Sequence, residues 1–198
     1  TELRGIAIAD FTGDNRRDIA VGAPFDGKVF LFINQGGGQF TLTNLLAWRG
    51  ARDLAAGDFD GDGLTDLAVA GTTNGVAHFQ NLGGGVFTVR TNVVVIGTKD
   101  DHDFPQPAYY LKSFRMPGVT RDELAAARAQ ESTVYVLAAL ADGRLAVQGT
   151  LTNISVNALD VGPLLRPATN AVPDLVVSHN ARGVLEIHSH LSTLGRFS

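Results

Sequence analysis

The chain of 198 residues contains no cysteine, which excludes disulfides, thiol nucleophiles and haem attachment through Cys-x-x-Cys-His. Charge is scarce as well, at 18% of residues, and its small excess is acidic, a formal −4. That balance argues against nucleic acid or an anionic membrane surface as a partner. No apolar stretch approaches the ~18 residues needed to span a bilayer. There is no signal peptide, and the first residue is Thr1 rather than Met, the start expected of a processed protein or of a piece of a longer one. Glycine, by contrast, is plentiful at 23 residues, beside a hydrophobic content of 44%. Such a chain is long enough for a packed core and too glycine-rich for a helical bundle, so mostly β structure is expected.

Acidic residues are few but concentrated. Residues 58–66 read Asp58-Phe59-Asp60-Gly61-Asp62-Gly63-Leu64-Thr65-Asp66 and run directly into Leu67-Ala68-Val69-Ala70. A hard cation such as Ca²⁺ takes ~6 to 8 oxygen ligands, and alternate acids on a tightly turned loop aim several carboxylates at one centre. Asp58, Asp60, Asp62 and Asp66 would supply side-chain oxygens and Leu64 its backbone carbonyl, with Gly61 and Gly63 letting the chain curl. An EF-hand is excluded, because that loop needs a Glu at its twelfth position and flanking helices; the twelfth position here is Val69, in an expected strand. The pattern recurs earlier as Asp10-Phe11-Thr12-Gly13-Asp14-Asn15-Arg16-Arg17-Asp18, followed by Ile19-Ala20-Val21-Gly22. Thr12 replaces Asp60 with a neutral oxygen and Asn15 replaces Gly63, so this loop is expected to bind more weakly. Seven of the 20 acidic residues lie in these two loops, and two bound Ca²⁺ ions would leave the chain roughly neutral.

The landmarks Asn34-Gln35-Gly36-Gly37-Gly38-Gln39-Phe40-Thr41 and Asn81-Leu82-Gly83-Gly84-Gly85-Val86-Phe87-Thr88 repeat in the same register. A period in the forties in a β-rich chain signals a propeller. The expected fold is all-β, one β-propeller module over residues 1–198, built from four-stranded antiparallel blades at about 5–47, 51–95, 96–155 and 156–198. In the first two units the strands are expected at 6–9, 18–22, 29–33 and 40–46, then at 53–56, 66–70, 76–80 and 87–95. Asp26-Gly27, Asn74-Gly75, Asp142-Gly143 and Arg182-Gly183 are taken as the hairpins between second and third strands. On that basis unit three has its second and third strands at 134–140 and 145–148. Its metal loop is replaced by an insertion at 98–131, Pro-rich at first and then helical over 120–131, with Thr120 as N-cap and Glu123 closing a capping box. Unit four keeps Asp160 and Asp174 as remnants of a loop in which no ion is expected. A fourth strand there would begin only where the chain stops, at Gly195-Arg196-Phe197-Ser198. Either a four-bladed ring closes without it, or the chain is part of a larger propeller; the fragment or partner-completed arrangement is the expectation, with a partner chain pairing the open blade edge.

The run Asp-Phe-Asp-Gly-Asp-Gly-Leu-Thr-Asp-Leu-Ala-Val, its copy at 10–21 and the Asn-x-Gly-Gly-Gly-x-Phe elements resemble the FG-GAP/VCBS repeats of integrin α-subunit propellers and of many secreted bacterial proteins. The resemblance covers residues 5–95, loosely 132–198, and not 98–131. It implies a propeller, often seven-bladed, with Ca²⁺ in the loops between first and second strands and a role in adhesion or in protein or carbohydrate binding. Carried over by position, the ligands are Asp58, Asp60, Asp62, Leu64 and Asp66, and in the second set Asp10, Thr12, Asp14, Arg16 and Asp18. The ion is expected to be structural, relieving carboxylate repulsion while pinning the loop to its strand. Extracellular modules of this kind fill at ~mM calcium, which fits an extracellular or periplasmic protein. The expectation is therefore a non-enzymatic binding, adhesion or assembly module, meeting a protein or glycan through 98–131. A lectin-like propeller, or the scaffold of a secreted hydrolase or lyase, is the alternative.

Three other groupings bear chemistry. Asp100-Asp101-His102-Asp103 could ligate a metal, but reads as a solvated loop. His188 and His190 share a strand face at a spacing that can chelate a transition metal, although outward-facing strand residues are the plainer reading. Pro105-Gln106-Pro107-Ala108-Tyr109-Tyr110 suits partner docking or sugar stacking, with a rigid packed loop as the simpler account. The glycine runs at 36–38 and 83–85 lack the Lys-Ser/Thr and following helix of a phosphate cradle.

Overall fold

A computed structural model describes residues 2–48, 50–71, 75–96, 109–129, 132–154, 156–162, 173–178 and 185–188. The described residues form strands and connections, with no helix, and none is therefore available to cross a membrane as a long apolar helix. The first sheet comprises β1 (Arg4–Ala9), β2 (Asp18–Ala23), β3 (Lys28–Gly36) and β4 (Gln39–Ala47). The second comprises β5 (Asp53–Gly57), β6 (Asp66–Gly71), β7 (Gly75–Asn81) and β8 (Phe87–Val95). In each, sequence neighbours pair antiparallel in simple order, within a few residues of the strands read from the sequence.

The third sheet corrects the sequence reading. It contains β9 (Tyr109–Arg115), β10 (Asp122–Arg128), β11 (Thr133–Ala139) and β12 (Leu145–Thr152), hydrogen-bonded in that order. The helix expected over 120–131 is the strand β10, paired with β9 on one side and β11 on the other. Its apolar run has no polar side because both faces are covered. Leu124 and Ala126 enter the core shared with the second sheet, while Ala125 and Ala127 enter the core shared with the fourth. Strands buried on both faces read as continuous apolar runs, and alanine within such a run imitates a helix until tertiary pairing overrides propensity. The supposed insertion thus supplies the blade's own first two strands. The segments expected as second and third strands, 134–140 and 145–148, are instead its third and fourth, and Asp142-Gly143 turns between them.

The fourth sheet has three strands among the described residues, β13 (Ala158–Gly162), β14 (Asp174–Ser178) and β15 (Leu185–His188). The Arg182-Gly183 hairpin, the segment 163–172 and the C-terminal residues 189–198 lie outside the described residues.

The core lies between sheets. Ala7, Phe11 and Leu31 meet Leu54, Leu67, Val69 and Phe79 across the first seam. Phe59, Ala68 and Val76 meet Leu111, Leu124 and Leu137 across the second. Val134 and Val136 meet Leu159, Leu175 and Val177 across the third. The first strands β1, β5, β9 and β13 stand side by side and line a cleft of about 210 Å³. Sheets stacked face to face and radiating from their first strands are the blades of a β-propeller.

One carboxyl group is built into the second seam. Asp53 of β5 accepts a hydrogen bond from the Leu111 backbone N–H of β9 at 2.8 Å, and burial raises its pKa above the ordinary 3.8. A raised folded-state value means that stability is fully present below the unfolded pKa and is lost as pH rises through the folded one. Urea unfolding of the wild type and of Asp53→Asn across an acid pH series should therefore show the wild type losing ground to the variant as pH climbs above 3.8. Parallel curves would rule this out.

Candidate metal centre

The loop between β5 and β6 is assembled from its backbone outward. Gly61 and Gly63 take positive φ, 84° and 87°, which coils the chain so that its N–H groups point inward at the acids. Gly61 N–H donates to Asp58 Oδ1 at 2.7 Å and Gly63 N–H to Asp58 Oδ2 at 3.2 Å. Asp62 N–H donates to Asp60 Oδ1 at 3.2 Å, and Leu64 N–H to Asp62 Oδ1 at 2.8 Å. Carboxylate oxygens of Asp58, Asp60 and Asp66 lie within 4.8 Å of one another. Burial raises the Asp60 pKa, and the neighbouring Asp66 and Asp62 charges raise it further. Such a set of oxygens, hard and mutually repelling, could hold a cation. Asp62 and Leu64 are on the same loop but outside that three-residue group.

Asp66, fully buried, fixes the loop to its blade. Its Oδ2 accepts from Phe59 N–H at 3.1 Å, and its Oδ1 from Asn81 N–H at 2.8 Å. The buried His78 of β7 places Nε2 3.0 Å from Asp66 Oδ2 and Nδ1 2.7 Å from the Gly143 carbonyl. Both ring nitrogens face acceptors, an arrangement that favours the doubly protonated ring. Burial opposes that charge, but the Asp66 bond and the Gly143 carbonyl outweigh it and raise the His78 pKa.

The third blade closes over this loop. Asp122, which opens β10, accepts from Asp58 N–H at 2.8 Å and donates its own N–H to the Asp58 carbonyl at 2.7 Å. Arg115 holds Asp122 with two bonds, 2.7 and 3.0 Å, and brings a guanidinium nitrogen 4.0 Å from Asp58. On the other flank Arg90 donates to Gln80, which donates to Asp60. These residues, with Asp62 and Asp142, line a cleft of about 360 Å³.

The loop between β1 and β2 has the same frame with different chemistry. Asp18 accepts from Phe11 N–H and Asn34 N–H, each at 2.9 Å, as Asp66 does from Phe59 and Asn81. Asp10 accepts from four backbone N–H groups, those of Thr12, Gly13, Asp14 and Asn15. Its slight burial works against ionisation, yet those donors together hold its pKa below the ordinary value. Arg16 pairs with Asp14 Oδ2 at 2.5 Å and donates Nε to the Asn34 carbonyl at 2.8 Å. Among the described residues, Asp10, Asp14 and Asp18 do not converge as Asp58, Asp60 and Asp66 do.

Sequence reasoning missed His78, Asn81 and Asp122. His78 was findable: it is the one ionisable residue in the β7 run Gly-Val-Ala-His-Phe-Gln-Asn and stands where the first blade has Leu31. Asp122 opens β10 as Asp18 and Asp66 open β2 and β6, but its bonds to Asp58 exist only across the seam. Of the other groupings, His188 sits 3.3 Å from Glu186, Tyr109 is buried on β9, and Asp160 lies 3.7 Å from Lys112. His102 with its flanking acids, residues 105–108 and His190 lie outside the described residues.

Stacked antiparallel blades, the first two with acidic loops between first and second strands, define the class: a β-propeller. Residues 10–69 match the FG-GAP-like repeat family. Integrin alpha-4 of Xenopus laevis is 36% identical over an 84-residue alignment that covers 35% of this chain and 8% of that protein. Among solved structures, a Lactobacillus plantarum protein matches with a TM-score of 0.57 and 20% identity, over 94% of this chain and 54% of the other. An Agrocybe aegerita lectin that recognises non-reducing terminal N-acetylglucosamine matches with a TM-score of 0.55 and 20% identity, over 96% and 52%. The chain thus spans about half the length of these solved structures and a small part of the integrin.

Proposed function

We propose that this chain is a non-enzymatic propeller module, stabilised by calcium, that binds a protein or glycan partner outside the cytoplasm. The observation that carries the reading is the convergence of Asp58, Asp60 and Asp66 at the seam of two blades. An all-oxygen donor set favours a hard cation, and a flexible loop with carboxylates and a carbonyl favours Ca²⁺ over Mg²⁺. The similarity to an integrin segment supports an extracellular setting and a role in adhesion or assembly. A structural rather than catalytic ion fits the enclosure of His78, the imidazole at the loop, whose two nitrogens are both engaged. A glycan partner is the second reading, favoured by the polar cleft beside Asp60, Gln80 and Arg90. The buried β10 cannot serve as a partner surface, so the contribution expected from 98–131 narrows to β9, whose Lys112 and Arg115 are exposed, and to the connections.

Melting in calcium, in magnesium and in chelator tests the reading. A ligand at about 100 times its Kd adds roughly 2.7 kcal/mol, or about 5 to 10 °C for a chain of this size. Calcium should deliver that shift and magnesium much less. Equal melting in all three would remove the ion from the account, and turnover of a carbohydrate or ester by the purified chain would remove the word non-enzymatic.

A further inference from the structure

The two loops share a backbone and differ in charge. Between 58 and 66 there are four Asp and no basic residue; between 10 and 18 there are three Asp and two Arg. On these counts the second loop carries an excess of four negative charges and the first an excess of one. Thr12 removes the carboxylate that Asp60 contributes to the converging group, and Arg16 stands where the second loop has Leu64.

The geometry extends the contrast. Both oxygens of Asp14 are occupied by one residue, Oδ1 by the Arg16 backbone N–H at 2.8 Å and Oδ2 by its guanidinium at 2.5 Å. The same guanidinium reaches the Asn34 carbonyl on β3, so it ties the loop to its blade. Asp10 and Asp18 accept backbone donors as Asp58 and Asp66 do, so the difference between the loops rests on Thr12 and on the guanidinium at Asp14. A divalent ion entering here would displace an arginine already paired and would meet its charge at close range.

We propose that Arg16 takes in the first loop the place that a divalent cation takes in the second, so that of these two loops only the second binds an ion. This rests on the calcium reading for its second half alone; the arginine brace stands or falls without it. Exposed ion pairs contribute little energy, and the consequence of this one lies in excluding a cation and fixing the loop's conformation.

Native mass spectrometry with calcium should find one ion on the wild type, none on Asp58→Asn/Asp60→Asn, and two on Thr12→Asp/Arg16→Leu. Two ions on the wild type, one of them lost in Asp10→Asn/Asp14→Asn, would overturn the proposal while leaving the calcium reading intact. No ion on the wild type would overturn the calcium reading, and amide exchange in chelator then decides the brace. Arg16→Leu should speed exchange at residues 12–16 about two- to fivefold, the scale of an exposed charge pair, with the loop at 58–66 unaffected. Unchanged exchange at 12–16 would refute it.

Discussion

Replacement of Asp66 by alanine should lower the melting temperature by about 8 to 15 °C in chelator, and by more in calcium, where a ligand of the ion goes as well. Three donors converge on this fully buried carboxylate: the Phe59 and Asn81 backbone N–H groups and His78 Nε2. Removing the acceptor strands two buried amides and a buried imidazole nitrogen. Losses of this kind run to about 3 to 5 kcal/mol, and each kcal/mol is worth roughly 2 to 4 °C for a chain of this size. Asp66→Asn keeps one acceptor oxygen and should fall between wild type and alanine. Asp58→Asn provides the contrast, since Asp58 mainly accepts from exposed loop amides. Its effect should be large in calcium and no more than about 1 kcal/mol in chelator. If Asp66→Ala melted like the wild type in chelator, Asp66 would be a ligand and nothing more.

Gly22→Ala should be among the most damaging single methyl groups that the first two blades can receive. A Cβ at Gly22 would lie 2.6 Å from the Ala51 carbonyl oxygen, 2.8 Å from the Arg4 carbonyl oxygen and 3.0 Å from Leu54. Two of those neighbours are backbone, at the junction where β1 and β2 pass the start of β5, so no rotamer change relieves the contact. Overpacking costs about 1 to 3 kcal/mol where side chains can shift, and the upper end or beyond is expected here, about 6 to 12 °C. Gly162→Ala is the control. It meets nothing within 4 Å and should melt within about 1 °C of wild type. A Gly22 variant that matched it would mean that the first seam is far looser than drawn.

The fold was legible where blades repeat, because one residue type at each turn carries a constraint that recurs. Asp, Gly and Asn mark loop and turn positions in blades one and two, and the strands fall between them. The third blade lost its acidic marker, so the eye passed to local pattern, and Leu124-Ala125-Ala126-Ala127 satisfied a helix pattern as well as that of a doubly buried strand. Only the pairing partners β9 and β11 distinguish the two: Pro117-Gly118 announces the turn out of β9, but Ala129-Gln130-Glu131-Ser132 carries no such signal before β11. The metal loop was legible for a similar reason: its donors are close together in sequence. What completes it is not local. His78 lies 12 residues from Asp66, while Gly143 is 65 from His78 and Asp122 is 64 from Asp58. No spacing rule reaches across a seam.

The seams have a direction. Asn81 and Gly85 of the second blade donate to the Phe11 carbonyl in the first loop; Asp122 of the third pairs with the Asp58 backbone in the second loop, and the Gly143 carbonyl meets His78, which holds Asp66. Each loop is therefore finished by the blade that follows it. On a ribosome, the second loop exists from Asp66 onward, yet its cap arrives only with Gly143. At roughly 5 to 20 residues per second, that leaves His78 without its carbonyl for about 3 to 13 seconds of every synthesis, an interval in which the nascent chain carries an acidic loop with nothing built over it.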